Sequence, residues 1–293
     1  MGEPNETAGG RQREKARACD RLRLTTHKPA YPLSLYVERI WHMSHSGLLL
    51  QKQRVYPNGS IALVVNLHKP VATYFVDGVA FSVRGPLIAG PYSRSFEIGT
   101  AAPAATIGAE FRPGTARMFF PMAAHELHNT DVSLFDVWPA EADCLLNELY
   151  SRSGVQDQLR FVEQYLSRKL SEARRIPPSI QYSVEELIRY GGVRRISQIQ
   201  RQSGLSHTRH IQLFKEHVGL SPKLFCRVRR FHAVLDSARK NKYVNWANLA
   251  LDGGYYDQAH LIRDFRAFAG ITPLDFEREF NQSSTREPQF ASS

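Results

Sequence analysis

Cysteine is scarce in this sequence. The three residues, Cys19, Cys144 and Cys226, stand far apart with no C-x-x-C pair. Such spacing excludes a disulfide framework and a zinc site built on paired thiols. Either Cys144 or Cys226 as a redox switch is the alternative to ordinary structural cysteine. Long apolar runs are missing as well: the longest, Ile61 to Val65, falls far short of the roughly 20 residues that cross a bilayer as a helix. The first residues are polar and charged with no apolar segment behind them, so no secretory signal is expected and the expected location is the cytoplasm, away from membranes. No G-x-S-x-G, phosphate loop or G-x-G-x-x-G is present, so an enzyme has no anchor here and no cofactor is expected. In His125-Glu126-Leu127-His128 the position four after the first histidine is Asn129, and a third ligand is missing. With His42 and His45 equally unsupported, no metal site is expected.

Acidic residues are also outnumbered. Lys and Arg total 38 against 28 Asp and Glu, a net charge of +10 over 293 residues. Residues 29–175 are nearly balanced, with 14 basic against 13 acidic side chains, whereas residues 176–280 hold 16 against 10. A basic excess confined to one segment suits a surface that meets phosphates, the alternative being a solvated basic face. At 42% apolar the chain can bury real cores, and its length suggests two domains.

The expected fold class is α+β. Residues 1–28 read as a disordered basic tail. Residues 29–173 read as a β-rich regulatory or sensor domain, barrel or sandwich-like, with trailing helices. Its strands include Ile61–Leu67, Ala72–Val76, Val79–Val83, Ser95–Ile98 and Ala105–Phe111, with a hairpin turn at Asp77-Gly78. Helical spacing follows Pro139, in Leu145, Leu146 and Leu149 and again in Phe161, Val162, Tyr165, Leu166 and Leu170. A linker over 174–181 contains Pro177-Pro178. An all-α domain is expected over 182–280, and 281–293 is a second disordered tail.

That last domain contains an internal repeat. F-K-E-H-V-G-L-S-P-K-L-F (Phe214 to Phe225) recurs 51 positions later as F-R-A-F-A-G-I-T-P-L-D-F (Phe265 to Phe276). Each copy follows a short helical stretch broken by a glycine, Gly204 or Gly254, as a helix-turn-helix requires at its bend. Between the units, Leu224, Val228, Phe231, Leu235 and Ala238 mark one stripe of a helix from Pro222 to about Lys240. Ser221 and Thr272 precede Pro222 and Pro273 as N-caps.

Residues 184–280 resemble the DNA-binding domain of AraC/XylS-type transcription regulators. The second unit carries the resemblance best, in A250-L-D-G-G-Y-Y-D257-Q-A-H-L-I-R263-D-F265 followed by G270-I-T-P273. In the first unit Gln200 stands where a small residue usually packs at the bend, and His210 where an aliphatic residue usually turns inward. A looser first unit is expected on that account, with His210 a core histidine.

The resemblance implies two recognition helices entering successive major grooves, about 34 Å apart along one face of the duplex. His207, Thr208, Ile211 and Gln212 in the first, and Gln258, His260, Ile262 and Arg263 in the second, are the expected base contacts. Arg194, Arg195, Lys215, Lys223, Arg227, Arg229, Arg230 and Arg266 are the expected phosphate contacts, with a tertiary salt bridge as the alternative for Arg227 and Arg230. In the N-terminal domain, Trp41, Tyr56, Tyr74, Phe81, Tyr92 and Phe96 are candidates to line an effector cavity, core packing being the alternative. The expected function is a sequence-specific transcription regulator. Its expected partners are double-stranded DNA and RNA polymerase, with a small-molecule effector and a second copy of the chain as further candidates. Against it stands a protein-interaction or signalling module with a degenerate DNA-binding repeat.

Overall fold

The computed structural model describes residues 23–45, 53–67, 72–76, 79–83, 85–99, 104–170, 175–190, 196–241 and 244–282. The expected Asp77-Gly78 turn, Arg194, Arg195, Cys19 and most of the C-terminal tail lie outside them, as do the side chains of His45, Tyr74 and Phe81.

Ten strands build the N-terminal part: β1 (Arg23–His27), β2 (Val37–His45), β3 (Gln53–Val55), β4 (Ala62–Asn66), β5 (Ala72–Val76), β6 (Val79–Val83), β7 (Pro86–Ala89), β8 (Phe96–Gly99), β9 (Ala104–Phe111) and β10 (Asp131–Ser133). They form a six-stranded sheet in the order β1-β2-β9-β4-β7-β10 and a four-stranded sheet in the order β3-β8-β5-β6, all pairs antiparallel. Two open sheets, and no closed barrel, are what the described residues make. Alternation in β4 buries Leu63 and Val65 on one face, as expected of a sheet with one packed side. Arg23–His27, placed in the basic tail from sequence, is instead an edge strand, with Arg23 opposite Ser44 and His27 opposite Ile40. Nothing local marks it, because its stability comes from pairing with β2.

Helices α1 (Leu134–Val137), α2 (Pro139–Ser151) and α3 (Val155–Leu170) follow. They lay Leu145, Leu149, Leu159, Val162 and Leu166 against Ile40, Ile88, Ile107 and Phe111 of the large sheet. The Pro177-Pro178 pair does not separate the domains by itself. Pro178 opens α4 (Pro178–Arg189) as its first helical residue, the one place where its missing N–H is harmless.

The C-terminal domain continues with α5 (Ile196–Gln202), α6 (His207–Val218), α7 (Pro222–Lys240), α8 (Trp246–Asp252), α9 (Gln258–Ala269) and α10 (Pro273–Gln282). The stripe predicted on α7 is its buried face, through Val228, Phe231, Leu235 and Ala238. Ser221 caps it by accepting from Leu224 N at 3.3 Å. Thr272 and Asp275 make the reciprocal bonds of a capping box on α10,.

The two parts share a broad seam. Tyr56 packs on Phe231 and Phe276, with ring centroids 6.4 and 5.8 Å away. Arg54 reaches Glu279 at 3.2 Å, and Arg117 pairs with Glu216.

His210 tests the core of the first unit. It is fully buried, its Nε2 lies 2.9 Å from Ser183 Oγ, and its Nδ1 has no partner. Burial lowers its pKa from the ordinary 6.5, with His207 adding to the effect. The neutral ring is therefore favoured in the folded state. This stability is present above pH 6.5 and is lost as the pH falls from there toward the folded value, because the unfolded chain takes up the proton first. Ser183 keeps its own bond to Ser179 O at 2.7 Å. Hence His210→Leu, the residue type at the matching Leu261, is expected to raise stability by about 1 kcal/mol at neutral pH and to reduce the acid loss. Urea unfolding of both proteins at neutral and mildly acidic pH measures this. A variant less stable than the native protein at every pH would overturn it.

Candidate nucleic-acid interface

Each recognition helix is prepared by its own turn. After α5 the chain reverses through Gly204 (φ +72°), and after α8 through Gly254 (φ +74°), a conformation in which a β-carbon is disfavoured. Ser206 then caps α6 by accepting from Arg209 N at 3.3 Å. Asp257 caps α9 by accepting from His260 N at 2.7 Å. Both helices are twelve residues long and end on a left-handed glycine, Gly219 or Gly270. In register, His210, Phe214 and His217 face inward in the first as Leu261, Phe265 and Phe268 do in the second.

What remains outward is the opposite face of each helix, most fully in its first turn. Among the expected base contacts, His207, Thr208, Gln212, Gln258 and Arg263 are exposed, whereas Ile211, His260 and Ile262 are half-buried. His260 stands edge-on to Tyr255 at 5.1 Å, which fixes its ring beside the turn. Gln212 and Arg263 occupy equivalent positions in the two units. Two exposed residues escaped the sequence expectation. Arg209 lies one turn into α6, in register with His260, and donates to Gln212 Oε1 at 3.1 Å. Tyr256, 89% exposed, immediately precedes the α9 cap. The signal for both was available, since each lies within three residues of a cap.

The basic residues divide sharply. Lys215, Lys223 and Arg266 are exposed, as phosphate contacts must be. Arg227, Arg229 and Arg230, expected in the same set, are half-buried and engaged by groups of the protein itself. Arg227 donates to Asp264 Oδ1 through Nε at 3.1 Å and Nη2 at 2.6 Å, and Asp264 is only 1% exposed. An unpaired carboxylate there would be costly, and the guanidinium answers that need. Arg230 donates to Gly254 O at 2.8 Å and lies over the Tyr255 ring at 4.9 Å. Arg229 sits among Glu110, Asp236 and Glu38. The connecting helix therefore spends its arginines on the second unit and the domain seam.

Of the six aromatics expected around an effector cavity, four have described side chains, Trp41, Tyr56, Tyr92 and Phe96. Tyr56 lies on the C-terminal core, as described above. Tyr92 and Phe96 pack on each other at 4.6 Å, and Tyr92 donates to Asp131 Oδ1 at 3.0 Å. Trp41 is buried in β2, while the side chains of Tyr74 and Phe81 fall outside the described residues. Of the strands that carry these aromatics, β5, β6 and β8 belong to the small sheet and β2 to the large one, which spacing along the chain does not reveal. A groove of about 670 Å³ runs beside α2 and α3, with Cys144, Glu148, Arg152, Phe161 and Tyr165 in its walls. Cys144 is exposed there. Cys226 is buried, and burial pushes its thiol up to about 11, far from a reactive thiolate.

His125 and Glu126 are exposed on a short 3-10 turn, while His128 Nε2 lies 2.9 Å from Ser93 Oγ. His42 is buried in β2. Among the described residues no three His, Cys, Asp or Glu gather as a metal site, and no helix is long and apolar enough to cross a membrane.

Comparison with known proteins agrees with this geometry. Residues 193–279 match the model of a helix-turn-helix domain, and residues 25–133 match a domain of unknown function (DUF6597). The C-terminal domain is an AraC-type helix-turn-helix domain. No curated protein matches the chain. Solved structures similar to it include ToxT from Vibrio cholerae, at 10% identity and a TM-score of 0.46, covering 87% of this chain and 98% of that one. A structure of unsaturated fatty acid bound wild-type ToxT from Vibrio cholerae strain SCE256 matches at 11% identity and 0.44, covering 92% and 95%. The EutQ protein of Clostridium difficile matches at 12% identity and 0.24, covering 31% of this chain and 68% of that one.

The inward arginines and outward lysines are separable by stability. Arg227→Ala leaves the Asp264 carboxylate buried without its donor and is expected to cost about 1–3 kcal/mol. Lys223→Ala, on an exposed side chain, is expected to change stability by less than about 0.5 kcal/mol. Thermal melts of the two variants compare them directly, and equal melting temperatures would mean the Arg227–Asp264 pair contributes nothing net.

Proposed function

We propose that this protein is a sequence-specific transcription regulator that reads DNA with both recognition helices and is controlled through its N-terminal domain. The observation that carries this is the matched presentation of two helix N-termini. In each unit the inner face is buried, a side-chain cap holds the first turn, and exposed polar residues stand where base edges are reached in a major groove. Gln212 on one and Arg263 on the other offer two-point hydrogen bonding, Gln toward adenine and Arg toward guanine. Exposed Lys215, Lys223 and Arg266 supply the charge that positions a duplex. Asn58 Nδ2 donates to Glu110 at 2.9 Å, and Arg39 pairs with the same carboxylate at 2.5 Å, close to Arg229 of α7. That charged seam is a route by which an effector or a second copy of the chain would act on the DNA-binding units. RNA polymerase is the partner such a regulator would address once bound.

Selection of bound duplexes from a random pool, using the full chain, tests the function. Two half-sites about 10–10.5 base pairs apart are expected in the recovered motif. A pool with no shared motif would leave a protein-interaction module as the better description. With the motif in hand, Arg263→Ala is expected to relax preference at one base pair by about 1–3 kcal/mol, and Gln212→Ala, whose amide is shared with Arg209, to do less. Binding to single-base variants of the site measures both.

Arg266→Ala is expected to weaken binding to every sequence alike and to reduce the slope of log K against log salt by about 0.9. An unchanged slope would remove Arg266 from the interface.

A further inference from the structure

One loop of the N-terminal domain, residues 90–95, touches the C-terminal ends of both recognition helices. At the first, Pro91 packs on Gly219, the residue that ends α6: a β-carbon there would lie 2.4 Å from Pro91 Cγ and 2.8 Å from Ala124 O, and its φ is +89°. At the second, the Ser95 amide donates to Phe268 O at 2.7 Å and the Ser95 hydroxyl to Ala269 O at 3.0 Å. These are carbonyls of the last turn of α9, which a helix leaves without internal donors.

The loop is held from behind by residues 127–131. Gly90 N–H donates to Thr130 O at 3.1 Å, and a β-carbon on Gly90 would lie 1.7 Å from Leu127 O. The Ser93 amide donates to Asn129 Oδ1 at 2.8 Å. Ser93 Oγ lies 2.9 Å from His128 Nε2, and the Tyr92 hydroxyl donates to Asp131 Oδ1 at 3.0 Å. The next strand pair, β7 with β10, puts Asp131 opposite Ala89 and so continues the same anchor. A segment fixed on one side, and on the other packed against the cap of one helix and hydrogen-bonded to the last turn of the second, transmits position between them.

We propose that residues 90–95 are a brace that sets the distance and angle between the two recognition helices, with Ser95 the positioning residue for the second unit. Besides it, among the described residues, the units are joined through α7 and, across the seam, through Arg117 to Glu216 on one side and Arg54 to Glu279 and Tyr56 to Phe276 on the other. With it, each recognition helix is referenced to the same rigid corner of the N-terminal domain, so that the pair fits half-sites of one spacing. The DNA consequence rests on the proposed function; the geometric consequence does not.

The test uses the full chain with Cys19 and Cys144 replaced by Ser and spin labels at Thr208→Cys and Ala259→Cys, exposed positions on the two first turns. Pulsed dipolar spectroscopy then reads the distance between the units without DNA. Ser95→Pro, which removes both donors, is expected to broaden the distribution about twofold as the second unit samples further orientations. Ser95→Ala and Ser93→Ala, milder changes that spare the backbone, are expected to broaden it less and in the same direction; they carry the test if the proline variant unfolds. On duplexes with the half-sites moved one base pair apart, the native chain is expected to lose about tenfold in affinity and the braceless variants about threefold or less, since a looser link tolerates more geometries. Distributions as narrow as the native one in all three folded variants would overturn the brace. Broadening without any sequence-specific binding would keep the brace and discard the transcription-regulator function. Specific binding with an unchanged spacing preference and unchanged distances would do the reverse.

Discussion

The C-terminal domain depends on burying one face of α7. Among the described residues, that nineteen-residue helix is the helix that packs against both recognition helices. Its Phe225 meets Phe214 of the first recognition helix at 5.7 Å, and its Phe231 meets Phe265 and Phe268 of the second at 5.0 and 5.4 Å. Each such ring, fully buried, contributes about 1.5–3 kcal/mol, so the inward faces of α6 and α9 are set by contact with one helix. Their outward faces follow from that choice, because a helix with its inner stripe fixed has no freedom left to rotate. The Arg227–Asp264 pair adds a directional tie on the same helix.

The two units are equal in frame and unequal in detail. His210 stands where Leu261 does, Leu213 where Asp264 does, and His217 where Phe268 does. The first unit is the more polar inside. Burial lowers the pKa of His217 as it does of His210, with Arg117 adding to the effect. The first unit is nevertheless not open: Gln200 is buried, and His210 has found Ser183. The N-terminal domain leans on this unit, through Arg117 to Glu216 and Pro91 to Gly219, and so compensates with outside contacts for what its core lacks. The second unit keeps an aromatic interior, with Trp246 against Phe265 at 5.4 Å, and meets the N-terminal domain through Ser95 at the end of α9 and through Arg54 and Tyr56 at α10.

The N-terminal domain carries its own charged interior at the seam. Glu110 is 9% exposed and accepts from Arg39 and Asn58, while Arg112 pairs with Glu38 at 2.6 Å. A largely desolvated pair such as Arg39 and Glu110 contributes less to stability than to fixing one arrangement over others,. Nearby, burial pushes the Asp131 carboxyl up to about 6 against the opposing bonds from Tyr92 and Gly90. The loop that meets both recognition helices is therefore joined to a polar and titratable part of the N-terminal domain, not to its apolar core.

The helix-turn-helix units could be read from the chain because every signal for them is local. Gly204 and Gly254 mark the bends, Ser206, Asp257, Ser221 and Thr272 the caps, and the 4-3-4-3 spacing from Leu224 to Ala238 the buried stripe; each is settled by residues within a few positions of one another. The same holds for β5 and β6. Tertiary structure alone decided the destinations of side chains whose partners are distant. Arg227 and Asp264 are 37 residues apart, Arg230 and the Gly254 carbonyl 24, and no periodicity along α7 tells a guanidinium aimed at a buried carboxylate from one aimed at a phosphate. Nor does spacing say that β3 and β8 leave the large sheet, or that Arg23–His27 has a partner in β2. Sequence fixes periodic faces, since those arise from backbone geometry within a turn or two. Which faces meet is determined by the competition among all of them to leave water, and that is settled only in the folded chain.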